Sequence, residues 1–126
     1  MIRVALFAAL LLAGCAATPS APADDGPRPC DVTVSFGSYA MGVDHELKTR
    51  IMAVIASDRG VEDSEERPWG REGESDLCIY APGPGAADRL FDQIAAQIPE
   101  TSSRAPTTVS HRDGRRDASG PPPEWN

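Results

Sequence analysis

Apolar residues recur along this chain in two periods. Val32, Val34 and Phe36 alternate with Asp31, Thr33 and Ser35, the period of a strand with one buried face. Gly37-Ser38-Tyr39-Ala40-Met41-Gly42 then breaks the pattern. Beyond it Val43, Leu47, Ile51, Val54 and Ile55 fall on one side of a helix that Asp44 is suited to cap. This helix is expected to end near Asp58, with Gly60 as a left-handed stop. Residues 61–67 are polar and acidic around one apolar anchor, Val61, and predict a weak edge strand. Pro68-Trp69-Gly70-Arg71-Glu72-Gly73 reads as a hairpin loop. Leu77, Ile79 and Ala81 then alternate with Asp76, Cys78 and Tyr80 as a further strand. After Pro82-Gly83-Pro84-Gly85, the residues Ala87, Leu90, Phe91, Ile94 and Ile98 define a second amphipathic helix, which Pro99 stops. Thr107-Thr108-Val109-Ser110-His111 supplies a candidate fourth, short strand.

The predicted order is strand, helix, strand, strand, helix, with that fourth strand optional. An α+β domain with the ferredoxin-like split βαβ arrangement follows. In that topology the first two strands run parallel and the third lies between them, antiparallel to both. The domain is expected over residues 30–111, between a flexible tether (15–29), rich in proline, alanine and aspartate, and a disordered tail (112–126) holding the Pro121-Pro122-Pro123 run.

Two expectations depend on this topology. Cys30 shares the parity of Val32, Val34 and Phe36 and points to the helices, whereas Cys78 has the parity opposite to Leu77 and Ile79. A bridge cannot cross the sheet, so parity argues against a Cys30–Cys78 disulfide, unless Cys30 lies just ahead of the regular strand. The loops 37–44 and 68–74 also fall at one end of the sheet. They bring Ser38, Tyr39, Met41, Asp44, Trp69 and Arg71 together as a candidate binding surface, of the aromatic and arginine composition common at interfaces. The competing expectation is that Tyr39 and Trp69 close the end of the core while Arg71 pairs with Glu72 or Glu74.

Catalytic chemistry is not legible. His45 lies beside Asp44 and Glu46, but adjacent helix residues do not face one another. No cysteine has a histidine at zinc-ligand spacing, and Glu62, Asp63, Glu65 and Glu66 lack the glycine and spacing of a calcium loop. No serine or cysteine carries a nucleophile motif, so no enzyme, metal or other cofactor is expected. With 12 basic and 19 acidic residues the net charge is −7, which argues against nucleic acid and against adhesion to anionic lipid headgroups.

The amino terminus decides the expected address. Arg3 precedes nine apolar residues, Val4 to Leu12, and Ala13-Gly14 lead into Cys15. The run is shorter than the roughly 20 residues that span a bilayer. Leu12-Ala13-Gly14-Cys15 resembles the lipobox of bacterial lipoproteins, cut before the cysteine by a lipoprotein signal peptidase. The resemblance implies that residues 1–14 are removed and that Cys15 is lipidated and holds the chain in the membrane. Each buried methylene contributes roughly 0.8 kcal/mol to such anchoring. Ala16 in place of aspartate implies the outer membrane, with the domain facing the periplasm, and losing Arg3 takes the net charge from −7 to −8.

Within the body, Val34-Ser35-Phe36-Gly37-Ser38-Tyr39 resembles the opening of sporulation-related repeat domains, which implies the same α+β fold and binding to peptidoglycan glycans. Ala81-Pro82-Gly83-Pro84 departs from that family's second motif. The sequence therefore points to a small envelope lipoprotein that binds a periplasmic protein partner, with a glycan of the cell wall as the alternative ligand.

Overall fold

A computed structural model describes residues 27–125; the lipobox, Cys15 and most of the tether lie outside the described residues. The elements in chain order are β1 (Val32–Phe36), α1 (His45–Ser57), β2 (Asp63–Pro68), β3 (Ser75–Tyr80), α2 (Ala86–Ala95), β4 (Thr107–His111) and β5 (Arg116–Ala118). A short 3-10 turn, Pro123–Trp125, ends the described chain. The fold is α+β, with one five-stranded sheet ordered β2-β3-β1-β4-β5 in which every neighbouring pair of strands is antiparallel.

The alternation read in the sequence is the inward and outward pleat of this sheet. Val32, Val34 and Phe36 point to the helices, as do Leu77 and Ile79 opposite them and Val109 on the other side. They meet Leu47, Ile51 and Ile55 from α1 and Leu90, Phe91 and Ile94 from α2 in one core. Burying a side chain of this size contributes roughly 1.5–3 kcal/mol.

The helix ends explain where the chain turns. Asp44 accepts the Leu47 amide at 3.0 Å, which satisfies a free donor at the start of α1. Gly60 is not left-handed, contrary to expectation; only Gly42, Gly73, Gly85 and Gly114 among the described glycines have positive φ. Gly60 instead answers a need for space, since a Cβ there would lie 2.6 Å from the Arg89 guanidinium and 2.9 Å from Ala86. Helix α2 closes at Ala95 and continues as a turn to the buried Ile98.

Two further expectations are corrected. The tail is ordered through Trp125. After a turn at residues 112–115 the chain returns as β5 beside β4, and Ser119 exchanges backbone and hydroxyl bonds with Thr107 at 3.0 Å. Gly120 then bridges to Thr101. Strand β5 is exposed throughout and is held by backbone hydrogen bonds, so it carries no apolar alternation to read.

The second correction is the disulfide: Cys30 and Cys78 are bonded, with Cα atoms 5.3 Å apart. Regular pairing of β1 with β3 begins at Val32, opposite Ile79, so Cys30 lies ahead of the strand and is free of its parity. Its side chain reaches Cys78 on the sheet face away from the helices. Arg28 follows the same path, lying over the Tyr80 ring at 4.6 Å and pairing with Glu62 at 3.2 Å. Residues 28–30 thus strap across β3, which explains why Cys78 and Tyr80 are buried on a face that is otherwise open.

Candidate functional site

Loops 37–44 and 69–74 meet at the end of the sheet where β1 finishes and β3 begins. Ser38 joins them: its hydroxyl donates to Glu72 Oε2 at 2.5 Å and accepts the amides of Met41 and Gly42 at 3.2 and 3.0 Å. Glu72 in turn has its own amide held by the Glu74 carboxylate at 2.8 Å. Both loops therefore have fixed backbones. Ala40 is the one non-glycine residue with positive φ among those described, at 74°, a conformation uncommon for a residue bearing a Cβ. That twist leaves the next residue, Met41, 87% exposed.

Trp69 lies along the open sheet face. Its indole Nε1 donates to Asp76 Oδ1 at 3.0 Å, and the same oxygen accepts the Ser35 hydroxyl at 2.7 Å. The ring is oriented by these bonds and yet 57% exposed. Tyr39 points elsewhere, edge-on to Trp125 with ring centroids 5.2 Å apart, and Trp125 is itself 52% exposed. Among the described residues, three of the four large exposed hydrophobic ones, Met41, Trp69 and Trp125, thus belong to this end of the molecule.

The expected set is accordingly split. Ser38 and the Gly42 amide meet the 69–74 hairpin at Glu72 and Met41 is held to Ser38, whereas Trp69 turns to Asp76 and Tyr39 to Trp125. Asp44 is committed to capping α1. Arg71 is exposed and forms no ion pair among the described residues; Glu72 and Glu74 face Ser38 and the Glu72 amide instead. Trp69 does not close the core. The role of Glu72 in pinning the 37–44 loop, and the part of Asp76 and Trp125, have no sequence signature: Glu72 reads as a partner for Arg71, and Trp125 follows a proline run that reads as a tail.

Behind this end, Lys48 of α1 reaches Glu66 of β2 and lies 5.3 Å from the centre of the Phe36 ring. The Lys48 ammonium, together with the Ser75 hydroxyl at 2.7 Å, holds the Glu66 carboxyl below the usual range. His45 lies on the far side of the α1 start with Glu46, Thr49 and Arg50, around an open depression of about 390 Å³. Nothing converges on His45 there.

No protein-family model matches the chain, and no curated protein or solved structure is significantly similar to it.

Proposed function

We propose that this chain is a non-catalytic binding module of the cell envelope, anchored by lipid on Cys15, which docks a periplasmic protein through the Met41–Trp69–Trp125 end. The observation that carries this reading is the combination of exposed hydrophobic side chains with backbone loops that are already pinned. Aromatic and methionine side chains kept in water are common anchors of a protein interface, and the prior ordering of the Trp69 ring and of the loop backbones lowers the entropic cost of binding. In this reading the strand order and the two helices are a ferredoxin-like split βαβ arrangement, extended by β5 along one edge.

The path of the chain supports the same conclusion. The tether joins the domain at Cys30, beside the start of β1, and the docking loops follow its other end at Phe36. The disulfide fixes the point of entry by tying Cys30 to β3. The docking end is then the pole of the domain away from the point where the tether joins it.

A photo-crosslinking residue at position 69, compared with one at the exposed Glu62 just ahead of the edge strand, tests this in living cells. A discrete protein adduct is expected from position 69 and not from 62. No specific adduct from 69 refutes the reading.

A glycan ligand is the second reading, favoured by one observation. The Trp69 ring, oriented by Asp76, lies at the margin of a polar sheet face bearing Thr33, Ser35, Thr108 and Ser110. An aromatic plate beside hydroxyls and a carboxylate suits the stacking and hydrogen bonding of a sugar. Co-sedimentation of the protein with purified sacculi, lost in Trp69→Ala, would establish it; failure to co-sediment removes it.

A further inference from the structure

At the opposite pole, where β4 ends, His111 points towards the helices with its side chain 5% exposed. Its Nδ1 accepts the amide of Asp113 at 3.0 Å and lies 2.9 Å from Asp113 Oδ1. Its Nε2 is buried without a hydrogen-bond partner and faces Asp88 Oδ1, in the first turn of α2, at 3.4 Å. Both carboxylates are held by one guanidinium: Arg115 donates from Nε to Asp113 Oδ2 at 2.8 Å and from Nη2 to Asp88. Arg115 also donates its own amide to Asp113 Oδ1 at 3.0 Å and lies over the Phe91 ring, which meets His111 edge-on.

We propose that Asp88, His111 and Asp113 form a site for a divalent d-block cation of the zinc or nickel class, with Arg115 as the resident positive charge that the ion displaces. One ligand atom from each of the three residues lies within 4.8 Å of the others. Metal bonds of about 2.0–2.1 Å in tetrahedral geometry place two ligand atoms roughly 3.4 Å apart, the separation of Nε2 and Asp88 Oδ1. An imidazole nitrogen selects this class over magnesium and calcium, which take oxygen ligands. The guanidinium already marks the spot between the carboxylates as one that favours positive charge.

Binding at Nε2 moves the ring proton. With Nδ1 accepting the Asp113 amide, the neutral ring carries its hydrogen on Nε2. The ion takes the Nε2 lone pair, the proton passes to Nδ1, and the ring stays neutral. The new Nδ1–H faces Asp113 Oδ1, already at 2.9 Å, in the carboxylate–histidine–metal relay that orients such ligands. The displaced Asp113 amide lies in an exposed turn and passes to water. Asp88 is thus an inner ligand, Asp113 an outer one, and Arg115 a competitor.

Titration of the purified full chain with Zn2+, followed by calorimetry and by the His111 ring nitrogen shifts, tests the site. One equivalent is expected to bind, with Nε2 becoming the ligated nitrogen and Nδ1 the protonated one. Asp88→Asn and Asp113→Asn, both at exposed carboxylates, should each weaken binding by about 10- to 100-fold. Arg115→Gln should tighten it, and His45→Ala, the control at the other histidine, should leave it unchanged. No binding at millimolar Zn2+, binding indifferent to Asp88→Asn, or binding lost with His45 overturns the proposal. So does an Arg115→Gln variant that binds no tighter than the parent.

Discussion

Removing the Cys30–Cys78 bridge should be the most damaging change available outside the core. The bond closes a loop with a sequence separation of 48 that contains β1, α1, β2 and most of β3. Closing a loop of that length lowers the entropy of the unfolded chain by an amount corresponding to about 4 kcal/mol at 25 °C. That is a large share of the 5–15 kcal/mol typical of a whole domain. Urea unfolding of the oxidised protein and of Cys30→Ala, at the same state of Cys15, measures the difference. Cys30→Ala keeps the Sγ of Cys78 and leaves the core between sheet and helices untouched, so the loss comes from the cross-link together with the cover that the strap gives Cys78 and Tyr80. The Arg28–Glu62 ion pair is exposed and adds little when the strap loosens. At 4–8 °C for each kcal/mol in a domain of this size, the melting temperature should fall by about 15–30 °C. A loss below about 1 kcal/mol, or Cys30 and Cys78 found as free thiols in the untreated protein, would refute the reasoning.

Three further outcomes follow from individual contacts. The Asp58 carboxyl is held below its usual range, first by the hydrogen bond from Arg89 and then by the Gly60 amide, so its stabilisation is complete above the unfolded carboxyl pKa of about 3.9. It is lost as pH falls through the lower folded value. Asp58→Asn should therefore be less stable than the parent at neutral pH, with the two denaturation midpoints converging below pH about 4. Gly60→Ala forces a Cβ against Arg89 and Ala86 and should cost about 1–3 kcal/mol by thermal unfolding, whereas Gly73→Ala, where nothing crowds the Cβ and only a positive φ opposes it, should cost less. Asp31 is buried and accepts the Ala81 amide at 2.7 Å while meeting Arg112 at 2.6 Å. Asp31→Ala orphans that amide and should cost about 1–3 kcal/mol in chemical denaturation, with Asp31→Asn, which keeps an acceptor, losing less.

What could be read in advance divides along the line between side-chain burial and backbone bonding. Val32, Val34 and Phe36, with Leu47, Ile51 and Ile55, were legible because apolar burial imposes a period on the sequence. Strand β5 was not, since Arg116, Asp117 and Ala118 are all exposed and are held by the backbone of β4. A chain bonded through its amides leaves no period to find. Strand β2 sits between these cases: every residue in it is exposed, and the anchor Val61 and the following hairpin turn were its signals.

The cysteines show how a correct rule fails at a boundary. Parity governs side-chain direction only while the strand is regular, and β1 starts two residues after Cys30. One residue of uncertainty in where a strand begins is enough to reverse which face a side chain takes. The same sensitivity applies at the loop end. Gathering Tyr39 and Trp69 at one pole required only the order of the elements, but their separation, one to Trp125 and the other to Asp76, depends on partners that no local pattern announces. Trp69 is exposed because Asp76 holds its indole against the open sheet face and away from the core. A tryptophan that served only to close the core would have turned its ring inward. On the proposed docking reading, the hydrogen bond that keeps it outward presents the ring to the partner, and Asp76→Ala should weaken crosslinking from the Met41 side of the same end without unfolding the domain.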